Sequence, residues 1–156
     1  MQGSPEIIKA LNEMLTAELT AINQYFTHYK LCENWGWQGL AAKYREESID
    51  EMKDAERLID RILLLEGMPN LQRIGKVMVG ETVPEQLDLD LDLEVAAVDR
   101  YRKGVQLAIE LGDAGTRDLL EELLLGEEMH LDWIETQQRM IADIGVERYL
   151  QSQIAE

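Results

Sequence analysis

Glu127 and His130 form a Glu-x-x-His pair inside the largely apolar stretch of residues 123–134. In an α-helix, side chains three residues apart project from the same face, so this carboxylate and this imidazole can reach one point. A donor set that mixes oxygen and nitrogen suits a divalent transition metal. Because the same spacing also occurs on solvated helix faces, the pair indicates a metal site only if other parts of the chain supply matching ligands.

The composition limits what the chain can be. Its 156 residues suit one domain, 1–156, and a hydrophobic content of 46% is typical of a globular protein. The net charge of −16 argues against nucleic-acid binding, since phosphate contacts need a basic surface. No apolar run reaches membrane-spanning length, and the single Cys32, which we expect to be a small buried hydrophobe, rules out an internal disulfide. We therefore expect no membrane partner and a cytoplasmic location.

Apolar residues at helical period, together with only three prolines, predict an all-α protein. Ser4 and Pro5 are suited to begin the first helix, and Gly67 and Gly145 to end the second and the fourth. The predicted helices are α1 from about 5 to 34, α2 from about 40 to 66, α3 from about 84 to 111, α4 from about 116 to 144, and a short α5 from about 146 to 154.

The lengths of the connections predict the topology. The α1–α2 and α3–α4 connections are short, so each pair must form an antiparallel hairpin. The α2–α3 connection has roughly 17 residues and can span about 55 Å when extended. A helix of about 27 residues is only about 40 Å long, so this connection can cross the whole bundle and make α2 and α3 parallel. A four-helix bundle with one long crossover has the ferritin-like topology.

One glutamate lies near the midpoint of each long helix: Glu18, Glu51, Glu94 and Glu127. A single glutamate of this kind is usually at the edge of the core, with its carboxylate turned out to water. Four buried carboxylates at one level would instead repel one another and lose hydration, at a cost of several kcal/mol per ion. Two divalent metal ions would remove that cost, so the four glutamates favour a two-metal site.

Di-iron carboxylate bundles use a lone glutamate from each of two helices and a Glu-x-x-His pair from each of the other two. Here Glu18 and Glu94 are the lone glutamates, and Glu127 with His130 is one pair. On α2, Glu51 is followed three residues later by Asp54 instead of histidine. An aspartate oxygen lies as many bonds from Cα as the histidine Nδ1, so geometry allows Asp54 to be a ligand.

The chain resembles a bacterioferritin, the haem-containing bacterial ferritin, over nearly all of its length. The motifs that carry the resemblance lie at residues 18–26, 47–52, 64–70 and 149–153. The resemblance implies a hollow cage of 24 subunits, made of one subunit type or as a mixed cage with a second bacterioferritin subunit. It implies that Fe(II) is oxidised by O2 or H2O2 at a di-iron centre within each subunit, that ferric mineral is stored inside, and that a ferredoxin supplies electrons for release.

The resemblance also implies a haem b shared between two subunits, with Met52 of each as its ligand. Met52 follows Glu51, so it points about 100° away around α2 and can face outward while Glu51 faces the core. From the pattern alone, Met52 would be an ordinary packing residue. Tyr25 lies on the same face of α1 as Glu18, where it could donate a hydrogen bond to a carboxylate or relay an electron; simple packing is the alternative.

Asp54 decides how much ferroxidase activity to expect. The usual four carboxylates and two neutral imidazoles balance two Fe(II) ions, whereas an ionised Asp54 leaves one excess negative charge that favours Fe(III). One hypothesis is a metal site that turns over slowly or retains its iron. The alternative is a haem-bearing subunit with an impaired centre, which acts structurally and in electron transfer within a mixed cage. A rubrerythrin-type oxidase is disfavoured because no Cys-x-x-Cys module follows the bundle.

An acidic cluster on α2 and a histidine on α1 have alternative structural roles. Glu46, Glu47 and Asp50 form an acidic cluster beside the predicted site, which is either a solvated helix face or a guide for iron ions. His28 is expected at the surface or at a subunit interface.

Overall fold

The computed structural model describes residues 1–154 and confirms the all-α fold. Within those residues every regular element is helical, and the helices are α1 (Pro5–Trp35), α2 (Gln38–Leu64), α3 (Val83–Glu110), α4 (Ala114–Ile144) and α5 (Val146–Gln151). The four long helices begin and end within one or two residues of their predicted bounds. The fifth ends at Gln151 rather than near residue 154. None of the helices in this part of the chain combines the length and the apolar character needed to span a membrane.

Side-chain caps explain where three of the helices begin. The Ser4 hydroxyl accepts from the Glu6 backbone N–H at 3.2 Å, ahead of Pro5. Thr82 caps α3, and an Asp113 carboxylate oxygen accepts from the Thr116 backbone N–H at 3.0 Å to cap α4. Gly36, which ends α1, has a φ of 90°, a left-handed conformation that glycine adopts without strain.

The long connection between α2 and α3 runs beside α1 in the direction of that helix. Successive α1 side chains hold it: Asn12 accepts from the backbone N–H of Asn70 at 2.8 Å, and Thr20 accepts from that of Gly75 at 2.8 Å. Farther along, His28 accepts from the backbone N–H of Gly80 at 3.0 Å. The connection therefore crosses the full bundle, and α3 starts beside the end of α1 and runs parallel to α2, as the predicted topology requires.

The apolar core consists of two clusters. One lies around the first half of α1 and includes Leu11, Leu15, Leu58, Ile62 and Leu120. The other lies around its second half and includes Tyr25, Leu40, Tyr44, Leu87 and Ile134. On α1 the division falls at Glu18, which is buried between them.

Candidate metal centre

The four helix-midpoint glutamates are all buried. Their exposed fractions are 3% for Glu18, 4% for Glu51, 1% for Glu94 and 2% for Glu127. Each long helix supplies one of them, so the antiparallel hairpins bring to one level residues that are far apart in the chain. Carboxylates are rarely buried to this extent unless they are paired, protonated or bound to metal.

Two groups of potential metal ligands share Glu51. The first, which we call the four-carboxylate position, contains Glu18, Glu51, Asp54 and Glu127, and one carboxylate oxygen of each lies within 4.8 Å of one oxygen of every other. The second, the histidine position, contains Glu47, Glu51 and His130 within the same mutual distance. A residue common to both groups can bridge two metal ions.

Glu94 joins the histidine position through the imidazole. The His130 Nδ1 atom lies 3.1 Å from Glu94 Oε1 and 3.3 Å from Glu47 Oε2. Together these residues make a carboxylate centre of six acidic side chains and one histidine: Glu18, Glu47, Glu51, Asp54, Glu94, Glu127 and His130. All six predicted ligands belong to it.

Glu47 is the member that sequence reasoning did not assign as a ligand. It is 7% exposed, so it does not belong to a solvated face, whereas its neighbours Glu46 and Asp50 are exposed. The available signal was its spacing: Glu47 lies four residues before Glu51 and therefore on the same face of α2. Its other oxygen lies 3.0 Å from the ammonium of Lys43.

The carboxylate centre has buried polar atoms without hydrogen-bonding partners. Five such side-chain atoms occur within residues 1–154, and four of them belong to the centre: Glu18 Oε2, Glu94 Oε2, Glu127 Oε1 and His130 Nε2; the fifth is the Tyr44 hydroxyl. Leaving a buried polar group unpaired costs about 1–3 kcal/mol, and more for a charged group. Metal ions would satisfy the carboxylate oxygens among these atoms, and the donor set therefore fits bound metal.

Burial and mutual repulsion raise the pKa values of the carboxylates. Desolvation, with repulsion from Glu127, raises the pKa of Glu18 to about 8. Desolvation and repulsion from Glu18 raise the pKa of Asp54 to about 7, and desolvation also raises the pKa of Glu94 to about 7. The pKa values of Glu51 and Glu127 lie well above their ordinary range, again chiefly because of burial. Without metal, the centre must hold protons near neutral pH.

His130 and two tyrosines complete the electrostatics. Burial lowers the pKa of His130, so its imidazole is neutral and able to bind a metal. The Tyr25 hydroxyl donates to Glu94, and the Tyr101 hydroxyl donates to Glu18 Oε1 at 2.5 Å. Tyr25 thus donates the hydrogen bond to a carboxylate that was one of the roles predicted for it. The centre of its ring also lies 5.0 Å from the centre of the His130 ring.

Two clefts reach the carboxylate centre from different sides of the bundle. A cleft of about 360 Å³ lies beside α1, α3 and the crossover, and Glu18 and Glu94 line it. A cleft of about 580 Å³ lies between α2 and α4, and Asp54 and His130 line it. Glu51 lines both, so small ions can approach the shared ligand from either side.

Met52 lies outside the centre, as predicted from its position on α2. Its side chain is 56% exposed, although the preceding Glu51 is 4% exposed. Met52 thus presents an outward thioether on α2, which fits a haem held between two copies and does not fit a haem enclosed within one subunit.

The expectation for His28 is wrong, because its side chain is completely buried. Its Nε2 accepts from the Gly80 backbone N–H, so its proton is on Nδ1, which donates to Asp90 Oδ2 at 3.1 Å. The Gln24 amide donates to Asp90 Oδ1 at 2.9 Å and accepts from the Met78 backbone N–H at 3.2 Å. This His28–Asp90 network anchors the end of the crossover. The expectation of a buried Cys32 is confirmed, and its thiol donates to Gln86 at 3.2 Å.

The chain is similar to known proteins over most of its length. A family model described as a ferritin-like domain matches residues 8–144. A protein named Bacterioferritin from Mycobacterium leprae is 48% identical over 149 residues, which cover 96% of this chain and 94% of that protein. Proteins of the same name are 48% identical over 156 residues in Streptomyces coelicolor, covering 100% of this chain and 93% of the relative, and 46% identical over 149 residues in Brucella melitensis, covering 96% and 92%.

Proposed function

Because the chain belongs to the bacterioferritin family of ferritin-like proteins and is an iron-storage protein, we propose that it oxidises Fe(II) at the carboxylate centre and stores the product as ferric mineral. The observation that carries this proposal is the set of four buried, unpartnered donor atoms on Glu18, Glu94, Glu127 and His130. Ordinary folding leaves few such atoms, and here they belong to residues of one buried centre.

The centre suits one-electron oxidation of two neighbouring substrate ions. Each Fe(II) ion loses one electron, and two electrons with two protons convert H2O2 to two water molecules, or O2 to H2O2. The four-carboxylate position and the histidine position can hold the two ions beside the shared Glu51. Carboxylates stabilise Fe(III) more than Fe(II) because they carry negative charge, so they favour oxidation of the bound ions.

Asp54 makes the release of Fe(III) the slow step of the proposed reaction. Its carboxylate lies in the four-carboxylate position, where it replaces a neutral imidazole with an anion once its proton is lost. The centre then holds Fe(III) more tightly than a two-histidine centre would. We therefore expect one fast oxidation phase followed by slow turnover.

The test is stopped-flow oxidation of a few Fe(II) ions per subunit by the purified protein and by Asp54→His. We expect the steady rate after the first phase to rise about tenfold or more in the variant, the scale of effects around metal ligands. Asp50→His is the matched control, since Asp50 lines the same cleft but belongs to neither ligand group. Equal steady rates in all three proteins would overturn the role given to Asp54.

We propose a cage of 24 subunits, with haem b held at two-fold interfaces by Met52 from each of two copies. The exposed thioether supports this arrangement. Bound haem would supply a redox centre for passing electrons to the stored mineral, and Met52 would hold it in place. Solution mass and haem absorbance test the proposal: Met52→Leu is expected to lose haem while keeping the assembled mass. Haem retained at full occupancy by that variant would contradict the assignment.

The second candidate function is that of a haem-bearing subunit with little ferroxidase activity, working in a mixed cage. Asp54 is the observation that favours it, since the imidazole used at this position by two-histidine centres is missing. The same stopped-flow experiment separates the two functions. No phase above the protein-free rate in the native protein, with a fast phase in Asp54→His, would favour the second function.

A further inference from the structure

The two halves of the carboxylate centre differ in the chemistry of their donor atoms. The four-carboxylate position offers oxygen alone, from Glu18, Glu51, Asp54 and Glu127. The histidine position offers the His130 imidazole with carboxylates. A centre with a Glu-x-x-His pair on both α2 and α4 would be nearly symmetric in this respect, so the asymmetry comes from Asp54.

Donor chemistry determines which divalent ion a site prefers. Carboxylate oxygens suit Mn(II), whereas imidazole nitrogen adds affinity for Fe(II), Co(II) and above all Zn(II). Protein sites for divalent first-row metals generally bind Zn(II) more tightly than Mn(II). The difference in affinity is smaller when no nitrogen ligand is present. The four-carboxylate position should therefore discriminate less against Mn(II) than the histidine position does.

The four-carboxylate position is more than a cluster of acidic residues. Glu18 and Glu127 are 3% and 2% exposed, and each has an oxygen with no hydrogen-bonding partner among the described residues. The Tyr101 hydroxyl occupies the other Glu18 oxygen, so the unpartnered one is left for a ligand. Asp54 is only half-buried and lines the α2/α4 cleft, which gives an ion access to the position.

We infer that the two positions differ in metal preference: the four-carboxylate position accepts an oxygen-preferring divalent cation, of which Mn(II) is the probe, as well as iron, while the histidine position prefers iron. Asp54 is the residue that determines this specificity. The centre can then hold a mixed pair of ions bridged by Glu51. The inference rests on the proposed metal-binding function and extends it to a second metal.

The first experiment measures competition between two metals in the metal-free, full-length protein without oxygen. One Mn(II) per subunit is bound, Zn(II) is added, and released Mn(II) is followed by the electron paramagnetic resonance of the free ion. In Asp54→His, the Zn(II) concentration that releases half of the Mn(II) should fall about tenfold or more relative to the native protein. Asp50→His, at the same cleft, should match the native protein. Equal Zn(II) concentrations for native and Asp54→His proteins would overturn the inference.

A second measurement locates the Mn(II) ion directly. Pulsed electron paramagnetic resonance detects a directly bound nitrogen through its coupling to Mn(II). The first Mn(II) bound by the native protein should show no such coupling, and the Asp54→His variant should show it. A bound-nitrogen coupling in the native protein would place Mn(II) beside His130 and overturn the inference even if the variant failed to fold.

Failure of the inference can be distinguished from failure of the proposed function. The visible absorbance of Co(II) measures how many ions bind in the centre, whichever metal each position prefers. Two bound Co(II) ions per subunit without Mn(II) selectivity would leave the ferroxidase proposal standing and overturn the mixed pair. Absence of Co(II) binding would overturn both.

Discussion

The carboxylate centre and the His28–Asp90 network are both buried polar clusters, and both have members on α1 and α3. Asp90 precedes Glu94 by four residues on α3, and Gln24 precedes Tyr25 on α1. In the network, the side-chain polar atoms of His28, Asp90 and Gln24 all have partners. In the centre, four buried side-chain oxygen and nitrogen atoms have no hydrogen-bonding partner.

The presence or absence of hydrogen-bonding partners distinguishes polar groups that stabilise the fold from polar groups that are available to bind a ligand. The network is complete within the chain: it ties the crossover to α1 and needs no other component. The centre is complete only with protons or cations, because its carboxylates repel one another in a dry environment. Burial alone would not have distinguished the two clusters, whereas counting partners does.

The largest expected effect comes from the same chemical change made in each cluster. Asp90→Asn places an amide NH2 against the N–H of either His28 or Gln24. That N–H loses its acceptor and the new amide has none, so two buried donors are unpaired, at about 1–3 kcal/mol each. Glu127→Gln replaces a carboxyl whose pKa burial raises well above its ordinary value, so the change removes a group whose charged form is already disfavoured without metal. We expect metal-free Asp90→Asn to lose about 2–6 kcal/mol of unfolding free energy and Glu127→Gln to lose little or none.

Chemical denaturation of both metal-free variants, followed by circular dichroism, measures the contrast. Equal losses at the two positions would show that the centre is as well satisfied as the network and would remove the distinction between them.

Metal addition should stabilise the protein through the centre and leave the network unaffected. A ligand at one hundred times its dissociation constant adds about 2.7 kcal/mol to the folded state. Co(II) should therefore raise the melting temperature of the native protein and, to a similar extent, that of a destabilised network variant such as Gln24→Met, which adds no charge beside Asp90. The double variant Glu18→Gln/Glu127→Gln should show little response. A full response in the double variant would mean that Co(II) binds elsewhere.

Metal binding should offset the pH dependence of stability that the raised pKa values cause. Glu18 has a folded pKa of about 8 against an ordinary value of 4.5, and Asp54 one of about 7 against 3.8. Between these values the folded state binds more protons than the unfolded state, so unfolding free energy falls as pH rises. The contribution is fully present below the ordinary pKa values and is lost as pH passes the folded ones. Cations compete with those same protons, so metal affinity rises over the same interval.

Thermal unfolding between pH 5 and 8.5, with and without Co(II), tests this expectation. The metal-free melting temperature should fall across the interval while the increment due to Co(II) grows, and Glu18→Gln should flatten the metal-free slope. A metal-free melting temperature that rose toward pH 8.5 would contradict the protonation of the centre.

The sequence was sufficient to predict the helices and the six ligand candidates because both follow from local spacing. Helical period and connection length determine which faces meet, so Glu18, Glu51, Glu94 and Glu127 converge once the topology is known. The error at His28 has the opposite origin, since its partner Asp90 lies 62 residues away and no pattern near His28 announces it. Glu47 shares a helix face with Glu51, but spacing alone does not show how far that face is buried, which depends on the contact with His130 of α4.

The smallest expected effect concerns the single cationic side chain that touches the centre. Of the ion pairs within residues 1–154, only that between Lys43 and Glu47 joins a lysine or arginine to one of its carboxylates. The Lys43 side chain is 26% exposed, and its ammonium lies 5.2 Å from the centre of the Trp133 ring, so the aromatic ring also holds it in place. It therefore competes with a cation for Glu47. Ion pairs that water can reach are worth about 0.2–1 kcal/mol, so Lys43→Met should tighten Co(II) binding by roughly 1.5- to 5-fold. Lys43→Arg should leave Co(II) affinity unchanged, and Lys53→Met, which changes a lysine at the same cleft without touching Glu47, should have a smaller effect.

Weaker binding of Co(II) by Lys43→Met would reverse the assignment. The ammonium would then orient Glu47 toward the metal, and the centre, like the network, would depend on a partner supplied by the chain.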